Sequence, residues 1–290
     1  MTEIISNGRL TVTVSDLGAE LQSVKLDGTE RLWQADPAVW GEHSPVLFPF
    51  VGRIKDGKYT YAGREYPAEG PHGFARTSVF TLAEKTETSL TYRLTSSEST
   101  KALYPFDFIF DVIYSLSGNT LTQTFRVENP GKEPMIYSFG AHPGFILPPD
   151  GTEFSDWYLE FAEGQPLKQE LLDGMFMSGT VVPCPYAKGN KIPFYHEMFD
   201  DDAFILTGLE NKTFEIKCDK SSHRIRTDCT GFDYLAFWQA TGSNAKYVCI
   251  EPWNGLPSGA KDPEDLTVKR DMRTLAPGKE EFCSVSYTLD

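Results

Sequence analysis

Apolar and polar residues alternate with period two along most of this chain, and that pattern limits the fold more than any other feature. In "RLTVTVSD" (Arg9–Asp16) the alternation puts valine and leucine on one side of an extended backbone and threonine and serine on the other. "KYTYAGREYPA" (Lys58–Ala68) reads as a hairpin, with Tyr59 and Tyr61 on one face and Ala62-Gly63 as the turn. Ser78–Ser96 and Phe106–Asn129 each read as two strands around a polar turn, the second punctuated by Ser117-Gly118-Asn119. Further strands are expected at Phe214–Cys218, Tyr234–Gln239, Tyr247–Glu251 and Phe282–Leu289. Only Asp262–Leu275 reads as helical, and Pro148–Ile192, rich in Pro, Gly and acidic residues, reads as long surface loops. Strands do not alternate with helices, so a parallel nucleotide-binding sheet is not expected. The fold class that follows is all-β: one large antiparallel β-sandwich domain spanning residues 1–290.

Charge narrows the partners. There are 27 basic and 41 acidic residues, a net charge of −14, and a surface of that sign repels phosphate backbones and anionic lipid. Neither a nucleic acid nor a membrane is expected as a partner. The start, "MTEIISNGRL", has no signal-peptide pattern, and no apolar run approaches the roughly 20 residues of a membrane span. The five cysteines (Cys184, Cys218, Cys229, Cys249 and Cys283) are odd in number and widely spaced, with no Cys-x-x-Cys. Neither a disulfide framework nor a zinc ribbon is signalled, and a reducing cytoplasm is the expected location.

Reactive side chains recur in rigid or strand-terminal settings. Arg53 follows Phe50-Val51-Gly52; His72 stands between Pro71 and Gly73 in "GPHGFAR", which ends in Arg76. His142 stands between Ala141 and Pro143 in "SFGAHPGFIL", and Glu251 closes an apolar strand before Pro252-Trp253-Asn254. The acidic run Asp200–Asp202 precedes another apolar strand. Each has an ordinary structural explanation taken alone, but together they form a set. A carboxylate and a histidine facing each other across a pocket make a general base and a general acid. No nucleophile elbow or activated cysteine is present. No two histidines lie at a ligand spacing along the chain, so neither a metal nor another cofactor is expected. Aromatics beside polar donors, such as Trp253 next to Asn254, suit a sugar, whose apolar face stacks while its hydroxyls hydrogen-bond. The residues point to acid–base chemistry on a carbohydrate. A carbohydrate-binding module without catalysis, and a glycoside hydrolase using Glu251 with Asp202, are the rival readings.

Taken in order, "LFPFVGRIKDGKY", "HGFAR", "YPFDF", "VENPGKEPMIYSFGAHPGF" and "EPWNGLP" resemble the aldose 1-epimerase (galactose mutarotase-like) family, above all its LacX-like bacterial branch. The resemblance covers nearly the whole chain. It implies the galactose mutarotase-like supersandwich with a sugar in an open cleft, and interconversion of the α and β anomers of a hexose. It implies Glu251 as the base that takes the C1 hydroxyl proton and His142 as the acid that protonates the ring oxygen. His72 and Arg53 match residues that bind the sugar, and Asp202, or else Asp201, matches an aspartate that holds hydroxyls far from C1. On this basis His142 is expected to be protonated when sugar binds. The chain departs from typical galactose mutarotases at Gly52, at Gly144 after His142-Pro143, and in the loop after Glu251, so the walls of the pocket differ. A related branch that acts on hexose 6-phosphates uses an arginine in a "HGFAR"-like segment. Arg76 with Arg53 therefore makes a hexose phosphate the alternative substrate.

Overall fold

The alternation becomes two large antiparallel sheets in the computed structural model, which describes residues 1–68, 70–147 and 151–290. One sheet has nine strands, running from Lys191–Pro193 at one edge through Glu280–Leu289 and Thr120–Glu128 to Thr81–Lys85 at the other. The second has eight and carries Tyr247–Asn254 between Tyr234–Trp238 and the short strands Phe139–Ala141 and Gly144–Ile146. A four-stranded N-terminal sheet, Thr2–Ser6 to Thr29–Glu30, and the predicted hairpin, Lys58–Tyr61 with Arg64–Pro67, flank them.

The large sheets meet face to face through rings. Phe214 packs on Phe237, Phe125 on Phe139, and Phe145 on Tyr287, with centroids 5.4, 5.5 and 5.0 Å apart. Strand Thr120–Glu128 keeps strict alternation of buried and half-buried residues, as a strand covered on one face must. Tyr247–Asn254 is different, being buried along its whole length. Val248 and Ile250 point into the main core, whereas Trp253 joins a second apolar cluster with Leu47, Val51, Ile205, Ala236 and Leu256. The eight-stranded sheet therefore has a covered back and a front that bears Glu251 and Trp253.

Three readings are corrected. Asp262–Leu275 is not a helix: one turn closes on the Asp265 carbonyl, which accepts from Val268 and Lys269 N–H, and the segment ends as the strand Arg273–Leu275. Propagation stops because Thr60 takes the backbone of this segment instead, donating to Glu264 and accepting from Leu266. Among the described residues the only α-helix is Glu98–Leu103, capped reciprocally by Ser97 and Thr100. The stretch Pro148–Ile192 is not all loop, because Trp157–Glu160, Lys168–Asp173, Phe176–Pro183 and Lys191–Pro193 are strands, while 148–150 lie outside the described residues. Phe176–Pro183 and Lys191–Pro193 are sheet-edge strands, where polar and charged residues are tolerated and the apolar alternation fades. Finally, Glu251 does not end its strand, which continues through Pro252 and Trp253 to Asn254.

Candidate active site

His142 sits at a break. Phe139–Ala141 and Gly144–Ile146 both pair with Tyr247–Asn254 in the same antiparallel register, Gly140 opposite Trp253 and Gly144 opposite Cys249. Continuing that register through the break sets His142 opposite Glu251. Pro143 has no N–H to donate, but its carbonyl accepts from Ile250 N–H at 3.1 Å and keeps the two edges together. A Cβ on Gly144 would lie 2.8 Å from the Trp40 ring, so only glycine lets that ring close over His142. The rigid frame read in the sequence thus serves to hold one imidazole against one carboxyl: His142 Nε2 lies 3.2 Å from Glu251 Oε1.

Both groups are buried, His142 at 7% exposure and Glu251 at 1%. Burial pushes the His142 imidazole down to about 3 and the Glu251 carboxyl well above its ordinary range. Asp202 raises Glu251 further, and the nearby Trp253 indole only partly opposes this. Burial therefore disfavours a charge on either group, and of the two Glu251 holds a proton more readily. Burial alone thus opposes the imidazolium expected of His142 when sugar binds.

The other sequence candidates line the same pocket of about 280 Å³: Arg53, His72, Arg76, Asp202 and Trp253 join His142 and Glu251 in its wall. His72 has φ of 68° and accepts the Gly52 N–H at its Nδ1, 3.1 Å away. That bond places the ring proton on Nε2, and burial beside His142, Arg76 and Arg53 keeps the ring neutral. His72 is thus a fixed hydrogen-bond donor. Of the two aspartates left open by the sequence, Asp202 lines the pocket and Asp201 is exposed. Burial raises the Asp202 carboxyl, while a hydrogen bond from Trp238 and the charge of Arg53 oppose the rise. Arg53 has no ion pair among the described residues, whereas Arg76 is bound by Glu42, which also lines the pocket.

Sequence reasoning missed part of the aromatic wall. Trp253 is almost fully buried, while Trp40 and Trp238 remain half-buried beside His142, their centroids 5.3 and 5.5 Å from the imidazole. Trp238 was legible, since Phe237 next to it faces the core and alternation sends Trp238 the other way. Trp40 lies outside any strand and left no periodic signal.

The histidines gather without ligand spacing along the chain. Ligand atoms of His72, His142 and Glu251 all come within 4.8 Å of one another. A metal ligand must offer a lone pair, and the one on neutral His72 already accepts the Gly52 N–H. The set is one donor short of the three a catalytic zinc uses. As placed, it fits proton transfer better than metal binding.

Comparison with known proteins bears on what such a pocket belongs to. Residues 2–288 match the aldose 1-epimerase family. The chain belongs to that family. LacX from Lactococcus lactis is 31% identical over 289 residues, covering 96% of this chain and 95% of LacX. A galactose mutarotase related enzyme from Lactobacillus acidophilus superposes with a TM-score of 0.93 at 36% identity, covering 100% of this chain and 97% of the other. A galactose mutarotase-like protein from Lactobacillus casei gives 0.93 at 28%, with both chains fully covered. As a member of the aldose 1-epimerase family the protein is an isomerase of the mutarotase-like class, built on the expected antiparallel sandwich. Among the described residues no helix is long and apolar enough to cross a membrane.

Proposed function

We propose that this protein interconverts the α and β anomers of an unphosphorylated hexose, with His142 and Glu251 as the acid–base pair. The observation that carries this reading is the convergence of five separate chain segments on one pocket, around a buried histidine 3.2 Å from a buried carboxyl. The pocket volume of about 280 Å³ lies at the small end of ligand sites, which suits one sugar ring.

In the productive complex Glu251 takes the proton of the C1 hydroxyl while His142 gives one to the ring oxygen. The C1–ring oxygen bond breaks, C1 becomes an aldehyde, the C1–C2 bond rotates, and the reverse transfers close the ring on the other face. Ring opening starts from imidazolium and carboxylate and ends with neutral imidazole and carboxylic acid. Burial of both groups favours the end state, and by the same amount opposes the imidazolium and carboxylate from which opening starts. His72 donates from Nε2 to the sugar, Arg53 and Asp202 hold hydroxyls, and Trp40 and Trp238 cover the ring's apolar face.

A free hexose fits better than a phosphate. Arg76 is already paired with Glu42, and three carboxyls (Glu42, Asp202 and Glu251) line the pocket beside two arginines. The test is the optical rotation of freshly dissolved α-glucose and α-galactose with and without protein, repeated with glucose 6-phosphate. Faster equilibration of a free hexose, and a much weaker effect on the phosphate, is the expected outcome. A preference for the phosphate contradicts the substrate assignment, and no acceleration of any sugar contradicts the activity.

A further inference from the structure

A buried lysine lies outside the catalytic set and has no role in the reaction above. Lys269 is only 8% exposed, and its Nζ donates to the Leu256 carbonyl at 2.7 Å. Leu256 leads into Pro257, which forms part of the pocket wall. The next residue, Ser258, donates its N–H to the Arg53 carbonyl at 2.9 Å. Gly52 lies so close that a Cβ there would collide with the Pro257 ring. Gly52 in turn supplies the N–H that fixes the His72 ring. A continuous mechanical path therefore runs from the lysine to two sugar-binding side chains.

The far end of the same loop is also tied down. Ser258 Oγ donates to Glu264 Oε2 at 3.1 Å, and Lys55 Nζ donates to the Asp262 carbonyl at 2.8 Å. Thr60 holds the backbone of Glu264 and Leu266 through two more bonds. Burying an ammonium is costly unless it is hydrogen-bonded and paired, and here the Leu256 carbonyl takes its hydrogen bond.

We infer that Lys269 is a positioning residue for the sugar pocket: by gripping the Leu256 carbonyl it keeps Pro257 and Ser258 against Gly52 and Arg53, and so aims Arg53 and His72. The inference rests on the epimerase reading for its substrate. The charged groups that face the amine are Glu264, Asp271 and Asp262, which favour its ammonium form, and Arg270, which opposes it. Burial outweighs them and brings Lys269 down to about 8. The grip is thus charge-assisted below about pH 8 and weaker above it.

The experiment follows sugar affinity on either side of about pH 8, as KM from polarimetry and as Kd from quenching of tryptophan fluorescence. Wild type, Lys269→Met, Lys269→Arg and Glu264→Gln are compared. KM and Kd of wild type are expected to rise about five-fold through this pH while kcat stays level. Lys269→Met binds about ten-fold more weakly at every pH, and Lys269→Arg, charged throughout, loses the rise. Glu264→Gln removes a charge that supports the ammonium, so its rise shifts to lower pH; this arm needs no change at the buried site. Unchanged affinity in Lys269→Met, a rise that persists in Lys269→Arg, or an unmoved midpoint in Glu264→Gln overturns the inference. Wild type that binds sugar without turning it over contradicts the epimerase reading alone. Wild type that binds no sugar removes both.

Discussion

His142 and Glu251 show how much one register decides. Neither residue is unusual by itself, yet the strand pairing sets them opposite each other in an interior that accepts one proton and resists a second charge. On the proposed mechanism the acid–base state needed for turnover is that one-proton state, which lasts from about pH 3 up to the raised value of Glu251. Above that value the pair loses its proton and activity falls; below about 3 both groups are protonated and no base is left. The acid-side limb of the kcat profile is therefore expected near pH 3 rather than near 6.5, the ordinary value for histidine. An acid-side limb centred near 6.5 would show that His142 titrates as an exposed imidazole, against its burial. His72 makes a different point. Its tautomer is set by a backbone N–H from Gly52, a contact that no local pattern announces.

At the scale of elements, strand Tyr247–Asn254 and its interrupted neighbour build the corner that holds His142 and Glu251. Gly144→Ala places a methyl 2.8 Å from Trp40 and 3.2 Å from the Trp33 Cβ, in a packed wall that has no room for it. We expect a loss of about 1–3 kcal/mol of stability, read from a thermal melt, together with reduced kcat/KM as Trp40 leaves His142. An alanine variant that melts and turns over like wild type would contradict this packing. The sequence made most of these elements legible, because a strand with one buried face writes its own alternation, as Thr120–Glu128 does. It was less legible where the physical cause was not local. Tyr247–Asn254 is buried on both faces, so its end could not be read from a change in hydropathy at Glu251. Asp262–Leu275 carries helix-like spacing, but long-range bonds to Thr60 claim its backbone. His72, His142, Arg53 and Glu251 were found from their Gly and Pro frames, and Asp202 from an acidic run before an apolar strand. The Glu42–Arg76 pair and the Trp40 lid were not, since both depend on segments that meet only in the fold.

For the molecule as a whole, the aromatic interior between the sheets backs the pocket carried on the front of one of them. Apolar clusters lie on both sides of the eight-stranded sheet, so the pocket floor is packed from behind. Four of the five thiols lie in that interior, and Cys249 is buried on the pocket side of its strand. All five cysteines are free and buried, and burial raises Cys184, Cys229, Cys249 and Cys283 above the usual thiol range. A chromogenic thiol reagent should label none in the native protein and all five after denaturation. Rapid labelling of the native state would mean that the sandwich opens more readily than its packing implies. A reducing agent should leave the melting temperature unchanged.

The central claim is that one buried pair performs the chemistry, and a single polarimetric comparison tests it most directly. Equilibration of fresh α-galactose or α-glucose is followed with wild type and with Glu251→Gln, which keeps the side chain's shape and removes its proton exchange. The account predicts acceleration by wild type and a loss of about 10²–10⁴-fold in the variant, to near the uncatalysed rate. A Glu251→Gln protein that equilibrates the sugar as fast as wild type would contradict it.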